Sequence, residues 1–306
     1  MPKVFRFTEY GGPETQEFVE LPKPEPGPSE ILVKVKSAGV NPIDYKVRQG
    51  LLKDFAPRDL PSEFGSEVSG VIEAIGQDVG GFAIGDEVFG SPAPHHGAFS
   101  EYTVTSANAT AKKPPHLSFN DAATLSVAGA TAYDGIVHLG LSEGQTLLIN
   151  GIGGGVGVAA AQIARDSGIA VFGTASEGKR ALVESLNATL IPYGDGVEQR
   201  VRELLPDGVD GIYDLVGGDA LRSVAGLVKD PKKLITSADP VTAAEFGGAL
   251  VNRDMTTRVL DEVARLVVDG KLNPQVNDVL AFDDAPNAIA SVESGHAQGK
   301  VVIEIS

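Results

Sequence analysis

The sequence predicts an α/β protein in which a β-rich domain is interrupted by a doubly wound parallel sheet. Three observations carry that expectation. Residues 1 to about 124 read as many short strands divided by turns. From Asn120 onward apolar strands alternate with helical patterns, the rhythm of a parallel sheet covered on both faces. The final stretch, 299–305, returns to a strand pattern that can rejoin the first domain.

In the first part, a strand is expected over 4–7, a proline-dense turn over 22–28 and a strand over 31–36. Residues 38–50 run from a loop into a short helix. The stretch 64–76 is strand-like with glycines at its corners, and further strands are expected from 85–89 and 97–104. Residues 120–137 open with helix-capping types and continue as a helix. Beyond it, strands are expected over 147–150, 170–174, 190–192, 211–216 and 233–237, with helices between, such as 179–186 and 197–205. Residues 255–269 read as an amphipathic helix closed by Gly270.

The stretch Leu147-Leu-Ile-Asn-Gly-Ile-Gly-Gly-Gly-Val-Gly157 organises the second part. An apolar strand breaks into glycines and then into the alanine-rich helix pattern of 158–165. Strand, glycine turn and helix is the context in which a backbone approaches a pyrophosphate and a helix N-terminus faces it. Against G-x-G-x-x-G ending at Gly157 the first position is Ile152, yet Gly151, Gly154 and Gly157 keep a three-residue spacing. The alternative is a glycine-rich loop that only lets the helix pack.

Composition removes several classes of function. The chain has 306 residues, enough for two domains, with 25 Lys+Arg against 41 Asp+Glu, a formal charge of −16. Such a surface repels phosphate backbones and anionic lipid, so neither nucleic acid nor membrane is an expected partner. Cysteine is absent, which removes disulfides, thiolate metal sites and a thiol nucleophile. No apolar run reaches membrane-spanning length and Met1-Pro-Lys-Val-Phe5 has no signal-peptide pattern, so a cytoplasmic location is expected.

Several motifs in order resemble one family. They are Ala38-Gly-Val-Asn-Pro-Ile-Asp44, Gly85-Asp-Glu-Val88, Gly97-Ala-Phe-Ser-Glu-Tyr102, Gly129-Ala-Thr-Ala-Tyr133, Gly154-Gly-Val-Gly157, Val209-Asp-Gly-Ile-Tyr-Asp214 and Gly299-Lys-Val-Val302. Together they are similar to the zinc-free quinone oxidoreductases, the zeta-crystallin type, of the medium-chain dehydrogenase/reductase superfamily. The resemblance implies a GroES-like β-barrel catalytic domain made from 1–124 and 270–306. It implies a Rossmann domain over 125–269, with substrate and nicotinamide meeting in the cleft between them. It also implies a homodimer or homotetramer joined through edge strands of the Rossmann sheet, with which the apolar segment 234–238 and the residues after it are compatible.

Zinc-dependent relatives place a Cys ligand where this chain has Asn41, and a His ligand where it has Ser66 in Gly65-Ser-Glu67. Both are poor ligands for a catalytic zinc. His95 and His96 are adjacent, and neighbours in an extended loop point opposite ways, so no metal is expected.

The cofactor expected is NADPH. The turn residues Gly151, Gly153, Gly154, Gly155, Val156 and Gly157 would cradle its pyrophosphate. The second strand carries Thr174 and ends at Ser176, where an NAD site carries an acid; Lys179 and Arg180 follow, and a hydroxyl with two cations suits a 2′-phosphate. Tyr193 matches a family tyrosine near that phosphate, and Thr131 and Val216 complete the expected contacts. Glu177 points the other way, toward NADH, and Lys179 and Arg180 on a solvated helix face is the alternative.

The reaction that the resemblance implies is hydride transfer to a quinone or to the β-carbon of an α,β-unsaturated carbonyl. Asn41 and Tyr45 lie on the segment flanking the nicotinamide in the family and are the expected carbonyl-oxygen donors, with Tyr45 a proton source. Lys46 and Thr131 are weaker candidates. Asp44 is expected to hold its loop. Pocket walls are expected from loops 51–60, 92–97 and 240–248. A different class of function is an NADPH-binding sensor or structural protein with little turnover; an RNA-binding version is disfavoured by the charge.

Overall fold

The computed structural model describes residues 1–54, 56–295, 297 and 299–305. Phe55, in an expected pocket loop, and His296, Gln298 and Ser306, in the 270–306 part expected to complete the first domain, lie outside the described residues. Contacts divide the chain into two units. One is Met1–Val127 with Met255–Val268 and Gln275–Ser306; the other is Ala128–Asp254 with Asp269–Pro274.

The first unit begins with β1 (Lys3–Phe7), β2 (Gln16–Glu20) and β3 (Glu30–Val40). Helix α1 (Pro42–Arg48), β4 (Ser62–Glu63), β5 (Glu67–Ile75), β6 (Glu87–Pro92) and β7 (Tyr102–Lys112) follow. Strand β3 pairs with both β5 and β7, and β6 links those two, so the four strands close on themselves. Closure removes the open edges that a flat sheet would expose. Side-chain alternation sorts β3: Ile31 and Val33 pack with Ile72 and Val88, whereas Leu32 packs with Ala93 and Val104. Each such burial stabilises the fold by about 1.5–3 kcal/mol.

The helix expected over 120–137 is broken. It consists of α2 (Phe119–Ala122), a π-helical turn over Leu125–Gly129 and α3 (Ala130–Leu139). The Val127 N–H donates to Glu67 Oε2 at 2.9 Å, and Ser126 Oγ donates to the Gly90 carbonyl at 2.9 Å. Contacts of this kind draw backbone groups out of the regular ladder and widen the turn.

The second unit holds α3 and a fully parallel sheet. Its parts are β8 (Thr146–Asn150), α4 (Gly155–Asp166), β9 (Ala170–Ala175), α5 (Arg180–Ser185), β10 (Thr189–Pro192) and α6 (Val197–Leu204). After these come β11 (Gly211–Asp214), α7 (Gly218–Ala225), β12 (Leu234–Thr236), α8 (Pro240–Glu245) and β13 (Ala249–Leu250). The strand order is β10-β9-β8-β11-β12-β13. Numbered within the unit this is 3-2-1-4-5-6, the order of a dinucleotide-binding sheet, with its switch point between β8 and β11. One expectation changes here: 240–248 is largely helix rather than loop. Strand β13, in the residues that follow 234–238, covers β12 and is one edge of the sheet.

Helix α9 (Thr257–Val268) belongs to the first unit, although the expected boundary put it in the second. Val259, Leu260, Val263, Ala264 and Leu266 form its buried stripe, and Thr257 Oγ1 donates to the Thr110 carbonyl on β7 at 2.8 Å. The chain then forms β14 (Val276–Ala281), α10 (Ala285–Glu293) and β15 (Lys300–Glu304). Strand β15 runs antiparallel to β3, and β14 lies outside it.

Candidate functional site: a glycine turn, a lysine bridge and a buried charge cluster

At the end of β8 the backbone turns through Gly151, whose φ of 93° suits only glycine. The Gly151 N–H donates to Thr174 Oγ1 at 3.0 Å, and the Ile152 N–H donates to the Thr174 carbonyl at 3.1 Å. A Cβ at Gly157 would lie 2.6 Å from Ile152 Cα, so a side chain there has no room. A Cβ at Gly154 would meet nothing nearer than 3.8 Å, which leaves that face of the turn open to a ligand. Gly151 therefore makes the turn, Gly154 permits close approach and Gly157 lets helix and strand pack, the three tasks of a dinucleotide fingerprint. Ile152, at 0% exposure, points inward over Gly173. Helix α4 starts at Gly155 with Gly154 as its cap and no side-chain capping bond, so no side chain caps the first N–H groups of the helix.

Beyond β9 lie the residues expected around a 2′-phosphate. The Lys179 stem crosses Gly153, where a Cβ would lie 2.3 Å from Lys179 Cδ, and its Nζ donates to the Gly153 carbonyl at 3.1 Å. Burial lowers the Lys179 pKa. Lys179 thus joins the end of the second strand to the glycine turn. Ser176 precedes it in extended backbone with no side-chain capping bond. Arg180 is placed differently: its guanidinium pairs with Glu177 and Glu184 on an exposed face. Tyr193 is 65% exposed on the turn after β10. That turn is held by Arg200, a residue the sequence reading did not single out. Its guanidinium donates to the carbonyls of Pro192, Tyr193, Gly194 and Asp195 at 2.8–3.3 Å.

Thr131 and Val216 occupy separate places in this unit. The Thr131 hydroxyl accepts from Arg253 Nη1, and its carbonyl accepts from the Tyr213 phenol at 2.8 Å. Arg253 Nε also donates to Asp134 at 3.0 Å, so an arginine absent from the expected set fixes this corner. Val216 is half-exposed, and its N–H donates to Asp214 Oδ1 at 3.2 Å.

In the first unit, Asn41 caps α1 and is nearly fully buried. Its Nδ2 donates to Glu67 Oε1 at 2.8 Å, and its Oδ1 accepts from Lys300 Nζ at 2.6 Å. Lys300 Nζ also donates to Glu67 Oε1 at 2.6 Å and to the Val40 carbonyl at 3.3 Å. Both ends of the Asn41 amide are thus engaged by a carboxylate and an ammonium. Asp44 accepts from the Asn41 N–H at 2.8 Å and from Ser66 Oγ at 3.2 Å, which holds the loop as expected. Burial pushes its carboxyl up to about 7, against the lowering by the Asn41 amide and Lys300. Tyr45 is half-buried on α1, and burial, with the Glu293 carboxylate behind it, raises its phenol. His95 Nδ1 lies 3.3 Å from the exposed Asp59 carboxylate. Among the described residues, no group of three or more His, Cys, Asp or Glu side chains is placed to hold a metal ion. Glu67 and Lys300 were missed, though each is a charge that opens a largely apolar strand, a signal that a buried partner is needed.

A parallel sheet in dinucleotide-binding order, with a fingerprint turn at its switch point, defines a nicotinamide-dependent oxidoreductase architecture. Comparison with known proteins agrees. Residues 27–115 match the alcohol dehydrogenase GroES-like domain, and 186–303 match the zinc-binding dehydrogenase family. The 2-methylene-furan-3-one reductase of Solanum lycopersicum is 32% identical over 98% of this chain and 78% of its own. A quinone oxidoreductase of Pseudomonas aeruginosa is 31% identical over 99% of both chains. The structure of a mycobacterial protein complexed with NADPH superposes with a TM-score of 0.89 at 27% identity, covering 100% of both chains. The chain belongs to the quinone oxidoreductase family of the medium-chain dehydrogenase/reductase superfamily.

Proposed function

We propose that this protein is an NADPH-dependent reductase of quinones or of α,β-unsaturated carbonyls, working without zinc. The observation that carries the NADPH reading is the Lys179 bridge: a cation beside Ser176 at the end of the second strand, where an NAD site carries an acid. The residues fit the dinucleotide. Gly154 leaves an open face, Gly151 and Gly157 fix the turn, and the uncapped start of α4 offers N–H donors to a pyrophosphate. Ser176, Lys179 and Tyr193 would receive the 2′-phosphate, with Arg180 reaching it only by leaving Glu177 and Glu184. Bound there, the reduced nicotinamide supplies a hydride, and the acceptor oxygen gains negative charge that the protein must stabilise.

Tyr45 is the donor we assign to that oxygen. A phenol is protonated at neutral pH, and the raised pKa of Tyr45 keeps it so, which lets it give a hydrogen bond to that oxygen. The proton is supplied from Tyr45 or solvent once the oxygen has gained charge. Asn41 serves as the brace of the loop that carries Tyr45, since Glu67 and Lys300 hold its amide. The zinc-free reading rests on the same cluster, where Asn41 and Ser66 are poor ligands and an ammonium bridges Asn41 and Glu67.

The test is cofactor oxidation with 9,10-phenanthrenequinone and with a short 2-alkenal, using NADPH and NADH in parallel. Lys179→Ala is expected to lower kcat/KM for NADPH by about 10- to 100-fold, the worth of one charge-assisted contact, and to leave NADH use unchanged. Equal use of both cofactors by the wild type defeats the NADPH assignment. Tight NADPH binding without turnover on either acceptor favours a sensor instead.

A further inference from the structure

At the carboxyl ends of β9, β8, β11 and β12 sit four polar side chains, Thr174, Asn150, Asp214 and Thr236, each exposed by 2% or less. Consecutive members are direct register partners across the sheet: Thr174 faces Asn150, Asn150 faces Asp214 and Asp214 faces Thr236. They form one unbroken chain of hydrogen bonds. Thr174 Oγ1 donates to Asn150 Oδ1 at 2.6 Å, and Asn150 Nδ2 donates to Asp214 Oδ1 at 2.7 Å. From the other side Thr236 Oγ1 donates to Asp214 Oδ2 at 2.7 Å. The central link, Asn150 to Asp214, crosses the switch point between β8 and β11.

Three of the four also fasten a loop that leaves a strand. Thr174 Oγ1 accepts from Gly151 N, the first residue of the glycine turn, at 3.0 Å. Asp214 Oδ1 accepts from the amides of Val216 and Gly217 at 3.2 and 3.1 Å. Thr236 Oγ1 accepts from the amides of Ala238 and Asp239 at 2.9 and 3.1 Å. The polarity is fully determined. A hydroxyl that accepts from two amides must aim its proton elsewhere, and at Thr236 it goes to Asp214. Asp214 donates nothing in this arrangement and receives from Asn150, Thr236, Val216 and Gly217. A side chain whose own amide or hydroxyl donor had to sit among those four would meet donors on every side.

We propose that Asp214 is a positioning residue, and that the chain through it sets the loops after β8, β11 and β12 as a single unit for the nicotinamide dinucleotide. The proposal rests on the reading that this turn holds that cofactor. None of the four side chains needs to touch the cofactor. Their effect is to fix beforehand the backbone N–H groups and the Gly151 turn that do, so that binding spends less on ordering loops.

Non-additivity tests it. Thr174→Val and Thr236→Val keep shape and remove one hydroxyl each, and the two act on different loops. Dissociation constants for NADPH and NADH are read from nicotinamide fluorescence, with Tm and kcat at saturating cofactor alongside. Each single variant is expected to weaken binding of the preferred cofactor by about tenfold. The double variant is expected near about 20-fold rather than the roughly 100-fold of independent sites. Thr174→Ser and Thr236→Ser should restore wild-type binding, and kcat should stay within about twofold. Asp214→Asn, if it folds, should match the double variant; the threonine pair decides the matter without it. Dissociation constants that multiply, or a lower Tm with unchanged binding, overturn the proposal and leave the cofactor assignment standing. Failure of the wild-type protein to bind either cofactor removes both.

Discussion

Glu67 in the first unit and Asp214 in the second are both carboxylates at 0% exposure, and each meets a different solution. Glu67 is matched by an opposite charge, the Lys300 ammonium, with the Asn41 amide and the Val127 N–H filling its remaining sites. Asp214 receives only neutral donors, two of them backbone amides of its own loop. A buried ion pair braces two distant strands, β5 and β15, but is costly to leave half-made. Spreading a negative charge over amides and hydroxyls ties a loop directly and keeps every group local to one sheet. The first arrangement fixes a scaffold; the second aims its donors at the loop backbone.

The largest effect should come from breaking the ion pair. Lys300→Met strands Glu67 without its cation and is expected to cost about 3–5 kcal/mol, read by denaturant unfolding. Adding Glu67→Gln should recover most of that loss, and no recovery would mean that the pair is not the stabilising element. A smaller, pH-dependent effect concerns Asp44 beside the pair. Its folded pKa of about 7 lies above the ordinary carboxylate value, so the folded state binds the proton more tightly than the unfolded chain. Stability should therefore rise as pH falls from about 7 toward 4, and this component should vanish in Asp44→Asn. A wild-type curve flat across that window would contradict it. The smallest effect lies on the surface of the second unit. Arg180→Ala removes a guanidinium held by two exposed carboxylates, and NADPH affinity should change by less than about twofold. A loss as large as that of Lys179→Ala would restore Arg180 to the phosphate site.

Much of the scaffold was legible because it repeats. Apolar strands at regular intervals, a glycine turn before an alanine-rich helix and a returning strand at 299–305 produce the observed parallel sheet and the pairing of β15 with β3 in the first unit. Strands β2 and β14 left no signal, since Gln16–Glu20 and Val276–Ala281 are largely polar or exposed and carry no clean alternation. The π turn at Leu125–Gly129 was hidden for a different reason. Its partner Glu67 lies 60 residues away, and no local window contains both. The same separation conceals the site's fastenings. Lys300 is 233 residues from Glu67, and Asp214 is 64 from Asn150. Asn41 shows the limit most clearly: its residue type suggests a donor for substrate, and only the fold reveals that its donor is already engaged.

Ile152 gives the fingerprint its irregular spelling, and that has a consequence for how the site tolerates sequence change. Its side chain fills the space over Gly173, where a Cβ would lie 2.5 Å away, and its backbone crowds Gly157 at 2.6 Å. The crowding at 157 comes from backbone and is the same whatever side chain 152 carries. The crowding at 173 comes from the Ile152 side chain, so 152 and 173 lock together and their allowed residues depend on each other. Because the Ile152 Cβ is itself among the clashing atoms, a side chain at 173 becomes acceptable only in a background where 152 has first become glycine. Members of such a lock must change in a fixed order, and a substitution that is harmless in one background is forbidden in another.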